Sequence, residues 1–177
     1  MKGVRGPLTG VVLAAVTLTT SGCQAMNDIG YEPKAADPET VRSQVEARLA
    51  GIKEMVDLPK GKGDPPAALI NTEAQGVERG YSMTGSWSVW GLPDQEIGEG
   101  YARVRKALPS AGWKVVQEGR DAFSKQDPEI WAERTDDHSK LTIEWIKPRN
   151  DKGSVLLAMI SSRIYVAPPD VDLNTKI

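Results

Sequence analysis

Apolar residues recur along this chain with two periods, and the places where the period changes mark its elements. Val41, Val45, Leu49, Ile52 and Val56 stand at helical spacing, with Arg42, Glu46, Lys53 and Glu54 left for a charged outer face. Asp37, Pro38 and Glu39 ahead of that run supply a capping acceptor, a proline for the first helical position and an acid for the first turn. An amphipathic helix is therefore predicted over 37–56, ending before Pro59. The density of proline and glycine in 59–66 predicts a mobile connector after it. The period then changes to two: Tyr81, Met83, Gly85, Trp87 and Val89 alternate with Ser82, Thr84, Ser86 and Ser88, which is a half-buried strand over 80–90. Helical spacing returns with Ile97, Tyr101, Val104 and Leu108, a second helix weakened by Gly98 and Gly100, ended by Pro109 and closed by Gly112 in a left-handed turn. Strand signals follow at 113–118, 129–134 and 140–147, with Asp136, Asp137, His138 and Ser139 as the hairpin turn. The nearly unbroken apolar run 154–166 predicts a last strand covered on both faces.

This order predicts an α+β fold, a mostly antiparallel sheet of four to five strands with one or two helices packed on it. No segment repeats at a period of 20 to 50 residues, so a solenoid or propeller is excluded. Residues 37–167 are expected to form the single globular domain, and 168–177 a disordered tail.

The first 22 residues follow a different logic. Lys2 and Arg5 precede an apolar stretch over 8–18 with no acidic residue nearby, which is the layout of an export signal. As a helix that stretch is about 16 Å long, against a hydrocarbon core of about 30 Å, so it is too short for a comfortable permanent span. Thr20, Ser21, Gly22 and Cys23 come next, and here the chain resembles the precursor of a bacterial lipoprotein, whose lipobox ends in small residues and an obligatory cysteine. Ser21 and Gly22 match that pattern, and Thr20 departs from it, since the family prefers Leu there. The resemblance implies cleavage between Gly22 and Cys23, a diacylglyceryl thioether on Cys23, and a mature protein held by its lipid on the extracytoplasmic side of the cell membrane. Residues 23–36 mix polar residues, glycine and proline without period and are expected to form a flexible tether.

More weakly, the helix closing on Gly112 and Trp113 ahead of a run of strands resembles small envelope lipoproteins of actinobacteria over residues 80–166. That resemblance implies the fold and adds little about function.

Composition narrows the function by exclusion. Of 177 residues, 22 are Lys or Arg and 24 Asp or Glu, and loss of Lys2 and Arg5 with the signal takes the formal charge from −2 to −4, so no basic footprint for nucleic acid exists. One cysteine and one histidine supply neither a disulfide nor a familiar zinc site, and no metal or cofactor is expected. His138 sits in a polar turn, where facing water is its ordinary role. Ser86 and Ser88 only approximate a nucleophile elbow, without its second glycine, and read as hydroxyls on a strand's polar side. Asp170, Asp172 and Asn174 have the spacing that opens a calcium loop, without its later glycine and glutamate. Glu133 and Glu144 lie on consecutive strands, but Arg134 and Lys140 beside them favour ordinary cross-strand charge pairing.

Five tryptophans against one phenylalanine is the lopsided feature. Trp87, Trp113 and Trp145 have core parity. Trp90 and Trp131 are the candidates for an exposed apolar platform for an envelope protein or cell-wall glycan. The expected function is thus a non-enzymatic, membrane-anchored binding or accessory domain of the cell envelope. The alternative is an envelope hydrolase using a carboxylate pair. Cys23→Ser is expected to abolish incorporation of radiolabelled fatty acid and to release the protein from membranes; labelling that persists in the variant excludes the lipoprotein assignment.

Overall fold

The computed structural model describes residues 29–72, 76–120, 127–149 and 153–173. Helix α1 (Pro38–Val56) begins as its sequence predicts: the Asp37 carboxylate accepts from the Thr40 N–H at 3.0 Å and from its hydroxyl at 3.1 Å. Asp57, in the left-handed region at φ 50°, ends it by donating its N–H to the Lys53 carbonyl. Helix α2 (Asp94–Ala107) passes into a 3-10 turn over Leu108–Ala111, which Gly112 closes at φ 82°.

Strands β1 (Lys34–Ala35), β2 (Ala67–Asn71), β3 (Gly80–Trp90), β4 (Trp113–Arg120), β5 (Pro128–Arg134), β6 (Lys140–Ile146), β7 (Val155–Ser161) and β8 (Tyr165–Val166) join in one sheet. Its order is β1-β8-β3-β7-β6-β5-β4, with β2 also paired to β3. Every pairing is antiparallel except β1 with β8. The α+β class holds. The expected four to five strands is too few, because β1 and β8 are two residues long and β2 has no polar alternation to read.

The run 154–166 is not one strand covered on both faces. Leu156, Ala158 and Ile160 are buried on one side, while Met159 is 40% exposed on the other. The run is also broken: β7 pairs Ser161 with Thr84 and β8 pairs Tyr165 with Tyr81, a slip of one residue. At the break the Ser162 hydroxyl accepts from the Met83 N–H at 2.9 Å, and the Ser162 N–H donates to the Met83 carbonyl at 2.8 Å. Side chain thus replaces backbone in the ladder, as at a bulge.

Both helices lie on the same side of the sheet. Val41, Val45, Leu49, Ile52 and Val56 of α1 and Ile97 and Val104 of α2 are buried with Tyr81, Met83, Trp87, Ile130, Leu141, Ile143, Leu156 and Ile160. The two helix glycines that cost propensity repay it in contact: a Cβ on Gly98 would stand 2.4 Å from the Trp145 ring, and one on Gly100 2.7 Å from Leu58. Arg103 ties the helices together by donating to the carbonyls of Val56 at 3.0 Å and Asp57 at 2.9 Å, satisfying the exposed end of α1.

Three segments expected to be loose are ordered. In the connector, Lys62 and Trp90 exchange backbone hydrogen bonds of 2.8 and 2.9 Å. In the segment read as a tether, residues 29–36 are docked: β1 pairs with β8, and the Tyr81 hydroxyl donates to the Ala36 carbonyl at 2.9 Å. In the tail, Arg79 donates to the carbonyls of Pro168 at 2.5 Å and Val171 at 2.6 Å, and Val171 and Leu173 pack on the core. Cys23, Gly22, the signal segment and residues 174–177 lie outside the described residues.

Gly85 sets how closely α1 approaches. A Cβ there would stand 2.7 Å from Val45 Cγ1, 2.8 Å from Leu49 Cδ1 and 3.1 Å from the Ala67 carbonyl. Gly85→Ala is expected to lower the unfolding free energy by about 1–3 kcal/mol, read as a lower urea midpoint at unchanged slope; an unchanged midpoint would show that the helix can stand off the strand.

Candidate functional site

Because both helices cover one side, the other side of the sheet is a helix-free surface, and its composition follows from strand parity. Ladder registers place Ala67, Ser86, Met159, Thr142, Trp131 and Gln117 in one row across β2, β3, β7, β6, β5 and β4. The next row holds Leu69, Thr84, Ser161, Lys140, Glu133 and Lys114. Leu69 is 72% exposed, Trp131 45% and Met159 40%. Val116, at the irregularity between Val115 and Gln117 on the edge strand, is also exposed. Thr84 and Ser161 link hydroxyls at 3.2 Å on the same surface. The two rows mix four hydroxyls, three charged side chains and Gln117 with Ala67, Leu69, Met159 and Trp131, and the half-buried Leu157 and Val155 continue the apolar line of β7 on the same face.

Trp131 and Trp90 do not make one platform. Both are on the helix-free side, but Trp90 is half-buried and pairs with Val155, four residues along and three strands away from Trp131, a separation of about 20 Å. Met159 is the apolar neighbour of Trp131, two strands across at about 10 Å with Thr142 between them. The parity of Trp131 was legible in its strand. Met159 was hidden inside an apolar run whose two faces the sequence does not distinguish.

The carboxylates also regroup. Glu133 stands opposite Lys140 on β6 and Lys114 on β4, which is the ordinary charge pairing expected for it. Glu144 stands opposite Glu129 instead, one residue pair beyond Trp131 on the same face. Two glutamates directly opposed on a ladder have Cβ atoms about 5 Å apart, close enough for their carboxyl groups to approach one another. This juxtaposition depends on register alone, so spacing along the sequence does not announce it.

The turn residues are occupied by structural partners. Asp136 receives both Arg134 nitrogens at 2.9 and 2.6 Å, and this hydrogen-bonded guanidinium holds its carboxyl below the usual carboxylate range. Asp137 pairs with Arg48 of α1 and accepts from the Ser139 N–H at 3.0 Å. His138, at φ 58°, stacks on Tyr31 at 4.7 Å between ring centroids. The imidazole thus meets an aromatic ring, and the neighbouring carboxylates are turned toward arginines. Arg134 also covers the Trp113 ring at 5.6 Å and donates to Ala111 at 3.0 Å, so the Gly112 and Trp113 corner is a packing device. Ser86 is exposed beside Met159, and Ser88 lies further along the same strand side. Asp170 and Asp172 line a groove of about 560 Å³ with Arg79 and Thr72, while Asn174 lies outside the described residues. Among the described residues no group of three His, Cys, Asp or Glu is placed to hold a metal.

At the opposite end of the sheet the sequence conceals a polar knot. The Asp94 carboxylate, at the start of α2, accepts from Trp145 Nε1 at 3.0 Å and from the hydroxyl of Ser154, and lies 3.5 Å from Lys147 Nζ. Lys147 in turn sits over the Trp145 ring. Nearby, the buried Asp127 accepts from the Lys147 N–H at 2.9 Å and pairs with Arg149. These contacts bind β6, the segments flanking β5 and β7, and the start of α2 together.

No family model matches this chain, and neither a curated protein nor a solved structure matches it. Among the described residues no helix is long and apolar enough to cross a membrane.

Asp94 makes the polar knot pH-sensitive in a defined sense. The Ser154 hydroxyl, then Lys147 and Trp145, hold its carboxyl below the ordinary range against the opposing effect of burial. A carboxyl with a depressed folded pKa contributes stability above its unfolded value and loses it as pH falls through the folded one. Asp94→Asn is expected to cost about 1 kcal/mol at pH 7, with the difference from wild type closing as pH is lowered below about 4. Urea midpoints measured across that range check it, and a gap independent of pH would assign the loss to packing.

Proposed function

We propose that this chain is a lipid-anchored, extracytoplasmic domain of the cell envelope that works by contact rather than catalysis. On this reading Cys23, exposed by cleavage after Gly22, carries the lipid that moors it in the membrane. Several acyl chains at about 0.8 kcal/mol per buried methylene give stable mooring where one chain does not. The domain then presents its helix-free face, with Trp131 and Met159 near the centre, to an envelope protein or a cell-wall glycan.

The observation that carries the contact surface is the exposure of Trp131, with Met159 two strands away on the same face. An indole held upright by a strand offers a sugar or a partner side chain a large apolar plane at little entropic cost. Trp131→Ala is expected to leave the urea midpoint within about 0.5 kcal/mol of wild type, while reducing retention on purified cell-wall glycan or crosslinking to membrane proteins at least tenfold. Undiminished retention and crosslinking would remove the face from the proposal.

A second reading, a hydrolase of envelope glycans, is favoured by one specific observation, the opposition of Glu129 and Glu144 next to Trp131. Glu144→Gln separates the two: a hydrolase loses sugar release from the wall, whereas a binding face keeps its retention within a few-fold.

A further inference from the structure

The polarity of the fold distinguishes two ends of the domain. One end gathers the start of α1, the 135–139 turn, β8 and the segment 29–36; the other gathers the end of α1, the start of α2 and the 147–149 segment. The chain enters at the first end, and it is fastened there. Tyr31 stacks on His138, its hydroxyl accepts from the Ile164 N–H at 2.9 Å, and the Arg163 guanidinium lies over its ring at 4.3 Å while donating to the Glu32 carbonyl. Arg163 is itself buried, and β1 follows at once in its parallel pairing with β8. Ile29, Gly30 and Tyr31 line a well with Glu133, His138 and Lys140, so the entry point is at the corner where the helix-free face meets the turn.

We infer that residues 29–36 are an orienting clamp, which sets the 135–139 end of the domain against the lipid surface and the 91–96 end away from it. The inference rests on the lipid anchor proposed for Cys23. Five residues, 24–28, lie between Cys23 and Ile29, and in any conformation the six steps from one Cα to the other reach at most about 20–22 Å. A tether free as far as Ala36 would reach about 45 Å. The 11 residues of β3 carry the chain about 36 Å from one end of the domain to the other. The longer tether would let either end meet the membrane; the shorter one does not span the domain.

The clamped end carries both signs of charge, with Lys34, Arg48, Arg79, Lys140 and Arg163 against Glu32, Glu78, Glu133, Asp136 and Asp137. Attraction to anionic lipid therefore does not supply the orientation, and the tether does. Trp131 lies one residue pair in from the row of Glu133 and Lys140, so the proposed contact face works close to the membrane and meets partners there.

The test uses full-length, lipidated protein in phosphatidylcholine vesicles bearing a nitroxide on the headgroup. The Cys23 sulfur is consumed by the lipid, so a single introduced thiol is the only one available to a fluorophore. Labels on Thr135→Cys and Lys140→Cys are expected to be quenched at least threefold more than labels on Lys60→Cys and Glu96→Cys. The difference should survive a rise in salt and the addition of anionic lipid, and should vanish when twelve Gly and Ser residues are inserted between Asn27 and Asp28. Equal or reversed quenching in lipidated protein, or a difference abolished by salt, overturns the orientation alone. Protein that lacks the thioether by mass and fails to float with vesicles overturns the anchor and the orientation together.

Discussion

The seam between α1 and the sheet is the contact on which the rest of the molecule depends. Gly85 lets Val45 and Leu49 reach the strand backbone, and the helix then serves partners on three sides. Glu46 accepts from the Ala68 N–H at 3.3 Å on β2. Arg48 donates to the Ser139 hydroxyl at 2.7 Å and pairs with Asp137, fixing the β5–β6 turn. Its last carbonyls receive Arg103 from α2. Five fully or nearly fully buried aliphatic side chains on one stripe, each worth about 1.5–3 kcal/mol of burial, make this seam a large source of hydrophobic stabilisation. All of it falls on one side of the sheet, which leaves the opposite side without a helix.

The parts of the fold legible in the sequence are those whose signal is local. Asp37 and Pro38 start α1 because a cap acts within one turn, and 80–90 alternates because β3 packs one face on the helix. The parts that were not legible are held by residues distant in the chain. Tyr31 is ordered by His138, Arg163 and Ile164, more than 100 positions later, and nothing in its polar surroundings announces them. The segment 168–173 is tied by Arg79, and β1 exists because a parallel partner waits at Tyr165 and Val166. Composition alone predicts that such segments stay loose, and what holds them is contact with residues distant in the sequence.

The candidate site divides along the same line. Parity alone puts Trp131 on the outer face, but its neighbours are a matter of register: Thr142 and Met159 beside it, Glu129 facing Glu144, Trp90 about 20 Å away. A slip of one residue in either ladder would reverse which side chains face out. His138 shows the complementary case, since the sequence places it in a turn next to two carboxylates and only the fold shows both of them turned toward Arg48 and Arg134.

The spacing of the apolar side chains on the helix-free face has a consequence for affinity. Leu69 and Trp131 are separated from Met159 by Thr84, Ser86, Ser161 and Thr142, while Met159 is continued along β7 by the half-buried Leu157 and Val155. Trp131 and Leu69 are thus separate apolar points on a largely polar surface, and the contact proposed for this face would be a weak one. For a domain moored as proposed, weakness is no obstacle. Confinement to a layer about 20 Å deep raises the effective concentration of anything else held at the membrane toward the millimolar range. A contact with a millimolar Kd, about −4 kcal/mol, is then half occupied. A stronger face would add little occupancy and would slow exchange between partners. On the proposed function, the anchor and this face would divide the work, the lipid supplying proximity and Trp131 supplying selection.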